Sequence, residues 1–207
     1  MTVSPVAAPI DRLRLAVART AELVADRAPT GLSLPQPSAG GTPIDADDVH
    51  GTVGTDGAVG FDPIPLLAEL DRQGAQVTVI GQVAGILHGS QELTGDLDLL
   101  WDGDHSRAAA MAAAFAAVGA TLLDEDGNEL PCGPEAFHLR KLDFRTPQAS
   151  GDLCTPKLPW GELDVTGFVE RALTTPGADG TVIRYLRKAD LNAMRTAVGR
   201  PKDLRRV

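Results

Sequence analysis

The stretch Val77-Thr78-Val79-Ile80-Gly81, followed closely by Thr94-Gly95-Asp96-Leu97-Asp98-Leu99-Leu100, decides how this chain is read. Val77 to Ile80 is an apolar, partly β-branched run ended by glycine, which predicts a buried strand. Val83 to His88 predicts a short helix closed by Gly89. Leu97 to Trp101 predicts the next strand. Alternate residues of a strand point to one face, so Asp96 and Asp98 are expected to project together. Two carboxylates side by side repel unless a cation lies between them. A divalent metal, with a phosphate beyond it, is the natural candidate. The helix start after Gly81 would offer backbone N–H groups to that phosphate.

The pattern continues outward from this unit as α+β with a mixed sheet. Upstream, Asp62 caps a helix with Pro63 at its first position, followed by Leu66, Leu67 and Leu70 and stopped by Gly74. Downstream, Asp104 caps an alanine-rich helix over 105–118 that Gly119 ends. Thr121 to Leu123 reads as a short strand, and the chain turns around Glu129 to Glu135. Phe137 to Phe144, Glu162 to Val165 and Thr181 to Tyr185 are strand-like. Asp190 to Val198 is helical, and Gly199-Arg200-Pro201 breaks into a last short helix. Nearer the start, Ile10, Leu13, Val17, Ala21 and Val24 form one face of a helix over 10–27. Residues 29–60 are rich in Pro, Gly, Thr and Asp and read as a flexible, partly disordered linker. The expected organisation is an N-terminal helix plus linker over 1–60 and a folded domain over 61–207.

Asp164 in Gly161-Glu162-Leu163-Asp164-Val165 alternates within an apolar stretch and is the candidate third carboxylate, as metal ligand or proton acceptor. Its bland alternative is an exposed edge-strand acid. The charge is unevenly spread: residues 184–207 carry eight basic and two acidic groups, hence +6, and the other 183 residues carry −15. Such a basic end suits phosphates or simply a solvated helix face. The overall charge of −9 disfavours a general nucleic-acid binder.

In these residues the chain resembles the polymerase-beta-type nucleotidyltransferase superfamily, and in particular its small bacterial abortive-infection and toxin-type members. The resemblance rests on Gly81, on Val83-Ala84-Gly85-Ile86-Leu87-His88-Gly89, on Thr94, Asp96 and Asp98, and on Gly199-Arg200-Pro201-Lys202-Asp203-Leu204. It covers about 61–207. It implies a nucleotidyltransferase fold, a mixed β-sheet flanked by helices. It also implies Mg2+ (or Mn2+) held by Asp96, Asp98 and Asp164. An NTP would be bound through Gly81, Gln82, Thr94, Arg200 and Lys202. The implied activity moves a nucleoside monophosphate to a hydroxyl of RNA or tRNA, a protein or a small molecule, in a toxin paired with an antitoxin. A small acceptor of aminoglycoside type is a further expectation, and a weakened relative that only binds nucleotide or a partner is the alternative. Three residues depart from the family pattern. Gln82 follows the glycine where Gly or Ser is usual and is expected to crowd the γ-phosphate. Glu92 replaces a basic residue and is expected to weaken attraction for a triphosphate. Arg195 stands where lysine is frequent.

Other polar residues have plainer readings. His88 packs or caps a helix end, and Trp101 and Trp160 are packing residues. Asp102, Asp104, Asp124, Glu125 and Asp126 are loop and cap acids. Asp203 either pairs locally or adds a carboxylate. Gly81, Gly85 and Gly89 are spaced four apart, which does not fit the dinucleotide-binding glycine pattern. Cys132 and Cys154 form no CxxC pair and read as free thiols of a reducing, cytoplasmic setting. No secretory signal and no membrane-spanning run is visible, so no membrane role is expected.

Overall fold

The computed structural model describes residues 7–27 and 60–207 of the 207-residue chain. The linker expected over 29–60 therefore lies outside the described residues, apart from Gly60. The elements are α1 Pro9–Arg27, α2 Ile64–Arg72, β1 Val77–Val79, α3 Gly81–Leu87, β2 Leu99–Trp101, α4 Ala108–Ala117, β3 Thr121–Leu123 and β4 Glu129–Leu130. They continue with β5 Lys141–Arg145, β6 Ser150–Cys154, α5 Val165–Glu170, β7 Leu173–Pro176, β8 Val182–Tyr185, α6 Lys188–Val198 and α7 Pro201–Leu204. The strands form one mixed sheet in the order β4-β3-β5-β6-β2-β1-β8-β7. β1 runs antiparallel to β2 and parallel to β8, and β2 runs parallel to β6.

The local signals explain most of these elements. The Ile64 N–H donates to Asp62 Oδ1 at 3.0 Å, so Asp62 and Pro63 start α2 together. Asp104 accepts from the Ser106 N–H at 3.0 Å and opens a single 3-10 turn, His105–Arg107, that leads into α4. Met111, Ala114 and Phe115 of α4 are fully buried, and the Phe115 ring packs with Phe137 and Phe144. Trp101 is buried edge-on to Phe137, and Trp160 donates its indole N–H to the Thr155 carbonyl at 2.8 Å, so both are packing residues. Asp124 accepts from the backbone of Asp126 and Asn128, and Glu125 pairs with Arg140, as loop acids.

Helix α1 joins the same core through Ile10, Leu13 and Ala16, and Arg12 Nη1 donates to the Leu87 carbonyl at 2.9 Å. Its inner stripe runs through Ala16 and Thr20, while Ala21 is exposed. The expected stripe of Val17 and Ala21 is thus rotated by one residue. Thr20 can turn inward because its hydroxyl donates to the Ala16 carbonyl at 3.0 Å. The side chain of Val24 lies outside the described residues.

Two further expectations change. Phe137 to Phe144 is not one strand: residues Pro134–His138 form a 3-10 turn and β5 starts only at Lys141. Glu162 to Val165 is not a strand, because Asp164 begins α5 instead. A strand that the composition did not suggest, β6, lies beside β2. Both cysteines are free thiols, and among the described residues no helix is long and apolar enough to cross a membrane.

Candidate active site

The site is built where β2 meets β1 and β6. Strand β2 begins at Leu99, but the two residues before it are already held extended. Ile80 N–H donates to the Asp98 carbonyl at 3.0 Å, Leu97 N–H to the Ser150 carbonyl at 2.9 Å, and Asp152 N–H to the Leu97 carbonyl at 3.2 Å. Leu97 is buried, whereas Asp96 and Asp98 on either side are partly exposed. The two acids therefore leave the segment on the side away from the core, as extended backbone dictates. Thr94 shapes the approach: its buried hydroxyl oxygen accepts from the Asp96 N–H at 3.2 Å.

The third carboxylate of this cluster is Asp152, not Asp164. Leu99 pairs with Leu153 in the β2–β6 register, which sets Asp98 next to Asp152 one residue earlier. Burial pushes the Asp152 carboxyl up to about 7, and Asp98 and Asp143 beside it add to the shift. Burial raises Asp98 as well, with Arg200, Lys202 and Lys141 pulling the other way and Asp203 adding to the rise. Asp164 sits elsewhere, at the start of α5. It accepts from the Gly167 N–H at 3.0 Å, contacts Arg171 at 3.4 Å, and its side chain is 70% exposed. Leu163-Asp164-Val165 reads as an alternation but serves as a helix cap.

Gly81 is required by this geometry. Its φ of +60° is left-handed, and a Cβ there would overlap Asp98 Oδ2. Gly81→Ala is expected to cost about 1–2 kcal/mol of stability from the backbone alone, seen as a lower urea midpoint. It should also push the Asp98 carboxylate away and weaken Mn2+ binding in a calorimetric titration.

Gln82 and Glu92 both bond within the fold. Gln82 is buried and bonds inward: its Nε2 donates to Ser90 Oγ at 2.9 Å and to the Glu92 carbonyl at 2.8 Å. Its Oε1 accepts from Arg195 Nη2 at 2.9 Å. Gln82 thus ties α3 to α6. Glu92 is engaged by a fork of two bonds from Arg206, Nε to Oε2 at 2.8 Å and Nη2 to Oε1 at 2.6 Å. Its charge is offset where it stands, and the Arg206 bonds hold its carboxyl below the usual range against the opposing effect of burial.

Arg195 joins these parts. The buried guanidinium also donates from Nη1 to the Arg206 carbonyl at 2.9 Å. It reaches α3 because Gly85 has no side chain: a Cβ there would come within 2.8 Å of Arg195 Nη2 and 2.9 Å of Gln82 Oε1. Arg195→Met should cost about 2–3 kcal/mol by leaving the buried Gln82 Oε1 and the part-buried Arg206 carbonyl without this donor, read as a fall in the urea unfolding midpoint.

The C-terminal segment brings the remaining predicted residues to the same place. Lys202 and Asp203 are buried, Arg200 Nε contacts Asp203 Oδ2 at 2.6 Å, and all three act on Asp98. Asp203 thus pairs locally and also adds a carboxylate to the neighbourhood. His88 contacts the Leu186 carbonyl at 2.8 Å through Nε2 and packs on Tyr185, a structural role.

Sequence reasoning missed Asp152, Asp143 and Lys141. The available signal was an acid two residues from Cys154 in Gly151-Asp152-Leu153-Cys154, a run with apolar residues at its end. Comparison with protein-family models, curated proteins and solved structures returned no match to this chain.

Proposed function

We propose that this chain is a divalent-metal-dependent nucleotidyltransferase of the polymerase-beta type, with the corresponding fold. The observation that carries the reading is the meeting of Asp98 and Asp152 across β2 and β6, with Asp98 raising the Asp152 carboxyl and Arg200 and Lys202 acting on Asp98.

The donor set fits a hard divalent cation. It is all carboxylate oxygen, which suits Mg2+ or Mn2+. Two like charges in a desolvated place also leave an electrostatic demand that a cation would meet. Among the described residues no three such side chains converge on one point in this conformation. The residues that would hold the ion are Asp96, Asp98 and Asp152. When bound, it would supply Lewis-acid polarisation of the α-phosphate and help orient the incoming hydroxyl.

The protein's own groups supply the rest. Arg200 and Lys202 lower the cost of bringing a triphosphate against these acids. Asp152, with its pKa near neutrality, takes the place drawn for Asp164 as third ligand or as acceptor of the hydroxyl proton. Gly81 lets the Asp98 carboxylate lie against the β1–α3 turn. The reading of a weakened relative rested on Gln82 and Glu92. Both are engaged within the fold, Gln82 by Ser90 and Arg195 and Glu92 by Arg206.

The test is incubation with labelled nucleoside triphosphates and Mn2+ or Mg2+ against total RNA, protein and aminoglycoside acceptors. Metal-dependent label transfer to one class, lost in Asp98→Asn, is the expected result. Absence of transfer to every class, together with triphosphate binding unchanged in Asp98→Asn, would overturn the reading.

A further inference from the structure

The acids of the site do not stand alone, because a lysine has been built in among them. Asp98, Asp152 and Asp143 follow one another across neighbouring strands, since Asp152 pairs directly with Asp143 in the β5–β6 register. Lys141 lies two residues before Asp143 on the same face of β5. Its Nζ is 3.1 Å from Asp143 Oδ1 and 3.1 Å from Asp152 Oδ2. The ammonium is shared between two acids and is partly buried, with 22% of the side chain exposed. Burial alone would lower its pKa, but Asp152 and Asp143 hold it well above the ordinary lysine value. It is a compact point charge with three donors, so it can bridge two carboxylates as an ion would.

We infer that Lys141 is a resident cation in the place of a second metal ion, so that this centre takes one divalent ion on its Asp98 side and not two. The inference rests on the metal-dependent reading above. Two-metal sites hold their ions about 3.5–4 Å apart and share carboxylates between them. Here Asp152, the carboxylate next to Asp98, already gives Oδ2 to Lys141. A second ion would have to expel a partly buried ammonium from two pairs, or sit against it at a distance where like charges repel strongly. The other charged groups around Asp98 come from the C-terminal segment: Arg200, Lys202 and Asp203. Cys154 completes the β6 side, its thiol pushed up by burial and by Asp152 and Asp98.

The experiment counts ions directly. The full chain is titrated with Mn2+ in the presence of a non-hydrolysable ATP analogue, following free Mn2+ by electron paramagnetic resonance and heat by calorimetry. Wild type and Lys141→Arg should each bind one Mn2+ per chain. Lys141→Met should bind two, because Asp152 and Asp143 are released. Two ions in the wild type, or one in Lys141→Met, would overturn the inference while leaving the metal centre in place. No bound Mn2+ in the wild type would instead overturn the metal-dependent reading. Should Lys141→Met fail to fold, the wild-type and Lys141→Arg counts decide: two ions in either refute the inference.

Discussion

Asp152→Asn should abolish nucleotidyl transfer, by about 10³-fold, while making the metal-free protein more stable above neutral pH. The two effects have one cause. Burial, Asp98 and Asp143 lift the Asp152 carboxyl to about 7, above its unfolded value. A carboxyl raised on folding contributes stability that is fully present below its unfolded pKa and is lost as pH rises to the folded one. The wild type should therefore lose on the order of 3 kcal/mol between about pH 4 and pH 7 from this group. Asparagine cannot ionise, so the variant should unfold at higher urea than the wild type at pH 8 and show no such gain at pH 4. Lys141 keeps Asp143 as a partner in the variant. A residue with a purely structural role would lose stability and activity together. Urea midpoints at the two pH values, set beside transfer rates, separate the cases.

Gly151→Ala carries the largest expected loss of stability. A Cβ on Gly151 would overlap the backbone carbonyl of Leu97, and the Leu97 carbon and nitrogen lie close behind it. Those atoms cannot step aside, because Leu97 is bonded through its N–H and its carbonyl to Ser150 and Asp152. Relief requires separating β6 from the segment that leads into β2, in the middle of the sheet. A cost of about 3 kcal/mol or more is expected, measured by urea unfolding monitored through tryptophan fluorescence. Asp98 and Asp152 would part as well, so the folded fraction should bind Mn2+ more weakly than wild type.

The parts of the fold that were readable are those whose cause is local. Asp62, Pro63 and Gly74 mark α2, and Asp104 and Gly119 mark the turn and helix α4, because capping depends on neighbours in sequence. Asp96 and Asp98 were legible for the same reason. Strand β6 was not, since Ser150, Gly151 and Asp152 are poor strand formers and are held extended only by β5 and β2 on either side. The third carboxylate went unread with its strand. Asp164 misled because three residues of alternation fit a strand and a helix cap equally. The helical spacing of Val165, Phe168 and Val169, all buried, was the signal that decides it. Gln82 and Glu92 were read by what precedes and follows them, whereas their partners Arg195 and Arg206 lie more than a hundred residues away.

That separation has a consequence during synthesis. Gln82 and Arg195 are 113 positions apart, and Glu92 and Arg206 are 114 apart. At about 5–20 residues per second, the ribosome needs on the order of ten seconds to make the intervening chain. Throughout that interval the nascent protein carries its acids without the arginines and lysine of residues 195–206. Any function that needs these acids and basic groups together therefore waits until translation has passed Arg206, a built-in delay between starting the polypeptide and completing the site.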